Sequence, residues 1–259
     1  SMNRVNGVYE RELGITMELV PNDTLVICLN GNNDPYSNSN GFSMKSQNQH
    51  TIDSAIGTFN YDIGHVFSTD GGGIAELRCV CDISSKAEGV TGQNTPVGDA
   101  FDIDYVAHEM GHQFGATHTF NSNTCGTANV ATISSFEPGS GSTIMAYAGI
   151  CDMADNIQAH SDNYFHAMSL DQVSTFISSP ITGGSCGVTT TSGNTPAVVP
   201  AFAQTYSVPY LTPFEITAPQ AADADHDRLT YCWEQWNLGD FGKTFDATGA
   251  NGPIFRSFK

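Results

Sequence analysis

Apolar residues along the first half of the chain recur at two spacings. Val5, Val8 and Tyr9 lie three and four apart, which predicts a helix over 3–13 with Gly14 placed to end it. The runs 15–20 and 24–30 read as strands, and 31–40, rich in Asn, Asp and Ser, as a loop. Ile52, Ala55 and Ile56 share one face of a short helix over 51–56, with Gly57 as its stop. Strands are expected over 63–68 and 74–81, on either side of the turn Gly71-Gly72-Gly73. A loop through Gly98 then leads to a helix over 101–114, where Val106, Met110 and Phe114 return every fourth residue to one buried side. Regular patterning is sparse until Ser161, a candidate N-cap for a last helix reaching 178, with Phe165, Met168, Val173 and Phe176 inward. The stretch 183–200 is rich in Gly, Ser, Thr and Pro. The expected organisation is therefore an α+β domain over 1–187, a linker over 188–200, and a strand-like, Pro- and Gly-punctuated module over 201–259. That module reads as a partial, incomplete β-sandwich.

The helix at 101–114 carries the chemistry. From His108 to His118 the chain reads H-E-x-x-H-x-x-G-x-x-H, the extended zinc-peptidase pattern. Residues four apart lie on one helical face, so His108 and His112 can aim at one metal ion. Gly115 can take a left-handed conformation and turn the chain back, so that His118 supplies a third ligand. Three protein nitrogens leave a fourth zinc position open, as catalytic sites do. Glu109 can then reach a zinc-bound water as a general base. No Ser or Cys nucleophile is needed.

A second motif follows. Gly-Ser-Thr-Ile-Met-Ala-Tyr spans 141–147 and places Met145 beyond His118. At these residues the chain resembles the metzincin zinc endopeptidases, whose long histidine motif is followed by a Met-turn. The resemblance implies a mixed twisted sheet, an active-site helix and an irregular C-terminal subdomain. It also implies that Met145 forms an apolar floor beneath the imidazoles without binding zinc. Within the clan the chain is most similar to the reprolysin/adamalysin branch, through 4–15 and 74–82, and the likeness covers about 3–187. It implies a Cys81–Cys186 bridge. Three features depart from the branch. Its usual first strand is not found, so the sheet is expected to be incomplete. Thr119 stands where adamalysins usually have Asp. Tyr147 is similar instead to a tyrosine of astacins and serralysins, which there ligates zinc at rest and swings to stabilise the transition state; a packed aromatic is the alternative.

Composition narrows the setting. Net charge is −18, from 9 Lys+Arg against 27 Asp+Glu, which repels phosphate backbones and excludes nucleic acid as a partner. No apolar stretch is long enough for a membrane helix. No signal peptide is present, and Ser1-Met2 reads as a tag scar, so a signal or pro-segment is expected upstream. Seven cysteines fit an oxidising, extracellular compartment. Cys125 and Cys151 bracket the segment after the third histidine and are paired. Cys28 and Cys79 either pair or remain buried thiols, and Cys232 is left over. Asp223, Asp225 and Asp227 alternate as in a calcium loop, but Arg228 occupies the place where an EF-hand needs Gly. A solvated turn competes with a calcium site there. His160 and His166 read as polar surface.

The favoured function is a secreted, monomeric zinc endopeptidase acting on a protein or peptide laid along the strand at 74–79. A surface adhesion protein with an inactive metzincin domain is the alternative. A zinc amidase acting on non-protein substrates is disfavoured by the Met-turn.

Overall fold

The computed structural model describes residues 1–70, 72–201, 205–240 and 252–258. Helix α1, Met2–Leu13, buries Val5, Val8 and Tyr9. Gly14 ends it at φ 66° and donates its N–H to the Glu10 carbonyl, a left-handed stop that a side chain resists. No strand forms over 15–20 or 24–30. The Met17 backbone pairs with the Asn6 side chain instead, which accepts its N–H at 3.0 Å and donates to its carbonyl at 2.7 Å. Leu25, Ile27 and Leu29 stay exposed, so no apolar face favours extension there. Helix α2, Gly41–Ala55, starts earlier than predicted. Asn40 caps it by accepting the Ser43 N–H, and the polar run 43–50 hid its first turns because it has little apolar period.

The sheet has three short strands: β1 (Val66–Ser68), β2 (Gly73–Ala75) and β3 (Gly89–Gly92). β3 lies in the middle, parallel to β1 and antiparallel to β2. β3 was not anticipated, because Gly-Val-Thr-Gly is short and glycine-flanked. Its Gly89 is required by close packing. A Cβ there would lie 2.3 Å from Gln113 Oε1 and 2.4 Å from His65 Nδ1. β2 is an edge strand. The chain leaving it donates the Arg78 and Cys79 N–H groups to the His112 and Gln113 carbonyls, at 2.9 and 3.0 Å.

The predicted helix over 101–114 is composite. Phe101–Ala107 is a π-helix and His108–Gln113 is α3. The wider π turn brings Phe101, Ile103, Val106 and Ala107 all into the core. The Tyr9 hydroxyl donates to the Ala107 carbonyl at 2.8 Å, where the two segments meet. Val106, Met110, Phe114, Ile144, Met145, Phe165, Val173 and Phe176 join α1 in one apolar cluster. Helix α4, Ala167–Ile177, is capped by His166 rather than Ser161. The ring of His166 accepts the Met168 N–H at 3.1 Å. His166 is therefore buried, not polar surface; it is enclosed because Phe136 and Trp236 stack beside it.

The chain divides into two compact units, Ser1–Gly187 with Glu234–Ser257, and Val188–Trp233 with the chain end. Within the first unit, Glu234 accepts the Ala167 N–H at 2.5 Å and the Ser257 hydroxyl at 2.6 Å. In the second, the described residues form one isolated bridge, Val198 with Ala222, and no strand. The β-sandwich expectation over 201–259 thus has no strand among its described residues, and 202–204, 241–251 and 259 lie outside them. Pro200, Pro209, Pro213 and Pro219 each withdraw an N–H donor from this segment.

Candidate metal centre

α3 presents His108, Glu109 and His112, and its end is built to return the chain to them. The Gly115 N–H bonds the His112 carbonyl and the Ala116 N–H bonds the Gly111 carbonyl, the paired closure of a Schellman motif. Gly115 sits at φ 102°, where a side chain is strained. The reversed chain delivers His118. The three Nε2 atoms converge, His112 lying 3.1 Å from His108 and 3.0 Å from His118.

Each Nδ1 faces a main-chain carbonyl at 2.7 Å: Ile144 for His108, Ala116 for His112, Asn129 for His118. A carbonyl only accepts, so each Nδ1 carries the proton and each Nε2 keeps its lone pair. Burial holds all three imidazoles neutral: His108 far below its ordinary value, His112 down to about 3 and His118 to about 4. Lone pairs facing one another across 3 Å repel unless a cation lies among them, so this donor set fits zinc. Glu109 is buried, and its Oε2 has no hydrogen-bond partner among the described residues. Burial pushes its carboxyl up to about 8.

Beneath α3 lies Met145, fully buried. Its approach depends on Gly111, where a Cβ would come within 2.4 Å of Met145 Sδ. The Tyr147 ring stacks on Phe120 at 4.5 Å and stands 4.6 Å from the His118 ring. Burial, with the Glu109 charge, pushes its hydroxyl up to about 12. A cleft of about 540 Å³ opens over these groups, lined by Gly73, Ile74 and Ala75 of β2 and by Phe42 and Ala131.

The profile of Metallo-peptidase family M12B, Reprolysin-like, matches residues 1–175. The chain belongs to that family. It is a zinc metalloendopeptidase, and His108, His112 and His118 are the cluster that fits its metal. No curated protein sequence matches it. In this M12B peptidase both paired-cysteine expectations are met, Cys81–Cys186 and Cys125–Cys151. Cys28 and Cys79 form no bridge with one another. Cys79 is buried, but Cys28 is exposed rather than buried.

Away from the zinc cluster, Asp223, Asp225 and Asp227 bring carboxylate oxygens within 4.8 Å of one another. Asp223 Oδ1 accepts the Asp225 and Asp227 N–H groups, at 2.9 and 3.0 Å. No helix is long and apolar enough to cross a membrane among the described residues.

Sequence reasoning missed several residues of the site. The carbonyls of Ile144, Ala116 and Asn129 leave no side-chain signature.

Proposed function

We propose that this M12B peptidase is a secreted, monomeric endopeptidase in which Glu109 is the general base. The observation that carries this reading is a buried Glu109 oxygen, without a partner among the described residues, beside three converging, neutral Nε2 atoms. Zinc, when held by His108, His112 and His118, supplies Lewis acidity that polarises a carbonyl and acidifies water. Burial alone sets the Glu109 carboxyl near 8, and positive charge nearby lowers it. Such a carboxyl takes a proton from the attacking water and returns it to the leaving amine near neutral pH. The substrate lies extended along the β2 edge, held by main-chain bonds. Tyr147, whose ring lies 4.6 Å from the His118 ring, donates a hydrogen bond from its hydroxyl to the developing oxyanion. Two disulfides support an oxidising, extracellular setting.

One panel tests the roles. Glu109→Ala is expected to keep one zinc per chain and to lose about 10²- to 10⁴-fold in kcat on a protein substrate. Tyr147→Phe is expected to lose about 10²-fold in kcat with KM little changed. Normal cleavage by Glu109→Ala sinks the base assignment. Zinc binding without cleavage in the unmodified chain, across a peptide library, favours the adhesion reading.

A further inference from the structure

Between the third histidine and the Met-turn lies a run without charge except at one position, Glu137. That carboxylate is 1% exposed. It faces no cation. One oxygen, Oε2, accepts the Ser142 and Thr143 N–H groups at 2.7 and 3.1 Å. The other, Oε1, accepts the Thr119 and Thr143 hydroxyls at 2.6 and 2.5 Å. The backbone repeats the link, because the Glu137 N–H donates to the Thr119 carbonyl at 2.8 Å. A buried carboxylate is tolerated only where such donors replace water, so the surrounding backbone is pinned to it.

The groups it pins adjoin zinc ligands. Thr119 directly follows His118, and its N–H donates to the Met145 carbonyl at 3.1 Å. Thr143 directly precedes Ile144, whose carbonyl orients His108. Beyond that lies Met145, beneath α3. We propose that Glu137 is a positioning residue of the zinc site. It fastens the segment that ends in His118 to the turn that carries the Ile144 carbonyl and Met145, and so fixes His108 and His118 relative to one another. The proposal rests on the zinc reading of the histidine cluster. It adds that the geometry of this cluster is set by a carboxylate that binds neither metal nor substrate.

The test compares the unmodified chain, Glu137→Ala and Glu137→Gln. Zinc release into a chelator is timed, and the visible spectrum of the cobalt(II)-substituted protein is recorded. Glu137→Ala is expected to release zinc at least about tenfold faster and to alter the cobalt spectrum. Glu137→Gln keeps an oxygen for the two N–H groups, and the threonine hydroxyls can turn to accept from its amide. It is expected to restore release to within about threefold and to recover the spectrum. A merely structural role lowers the melting temperature of the metal-free protein but leaves the release rate and spectrum alone. That result for Glu137→Ala overturns the proposal. Should Glu137→Ala fail to fold, Thr119→Val removes one hydroxyl bond to the carboxylate and leaves Glu137 in place. Faster zinc release then supports the proposal, and an unchanged rate overturns it. If the unmodified chain binds no zinc, the zinc reading itself fails, a separate outcome from equal release by all variants.

Discussion

A Cβ at Gly73 would lie 2.1 Å from Glu109 Oε1, so the edge strand and this carboxylate leave no room between them. The carboxylate ends a flexible side chain and can yield, but only by leaving its position. Gly73→Ala is therefore expected to keep zinc and to lower kcat about a hundredfold, the cost of a misplacement near 1 Å. Metal content and steady-state kinetics check this, and an unchanged kcat would show that the Glu109 position is not critical. At this scale the sequence was legible where metal ligands are side chains at helical spacing, as in His108 and His112. It was opaque where backbone does the work. Nothing in the letters Ile144, Ala116 or Asn129 says that their carbonyls fix three imidazole tautomers. Thr119, noted only as a departure from the adamalysin pattern, proves to be a donor to Glu137.

Among the elements, α3 is held from behind by a polar bracket. His65, just before β1, donates from Nδ1 to Gln113 Oε1 at 2.7 Å and meets Thr91 Oγ1 of β3 at 2.8 Å through Nε2. Since an amide oxygen only accepts, His65 Nδ1 carries the proton and Thr91 donates to Nε2. A proton on Nε2 would break that second bond. Burial lowers the His65 pKa to about 4, partly offset by the Gln113 bond. The unfolded chain takes up this proton near pH 6.5, the native state only near 4, so stability is lost as pH falls between those values. Urea unfolding across that window should show a shallower pH slope for His65→Asn than for the unmodified chain, by up to about 1.4 kcal/mol per pH unit. Equal slopes would mean that native His65 is already protonated. The elements that could be read were those with apolar period and glycine stops, α1 and the α3 segment. β3 could not, since its four residues gain strand character only from their neighbours on both sides. The π-helix also gave no local sign, because its wider turn answers to what the core must receive.

On the scale of the whole molecule, Cys81 and Cys186 join the chain just after the edge strand to the chain just after α4, 105 residues apart. Closing a loop of that length in the unfolded state stabilises by about 5 kcal/mol. Replacing both with Ser should lower the unfolding free energy by about that amount in denaturant melts. A loss under about 1 kcal/mol would mean that the unfolded chain gains little freedom from the cut. The return of Glu234–Ser257 to the first unit was not legible, since local pattern does not say where a proline-rich run comes to rest. There Trp236 stacks on Phe136 at 5.1 Å, and Glu234 takes up the first free N–H of α4.

The two bonds from Arg78 and Cys79 to the His112 and Gln113 carbonyls make the chain leaving β2, the edge proposed to receive a peptide, and the helix that carries the histidines one stiff lever. A change that tilts the strand to suit a different peptide also tilts His112. Evolution or design can therefore retune selectivity cheaply only at cleft positions off that lever, such as Phe42 and Ala131, and chemistry along the strand will vary in step with fit.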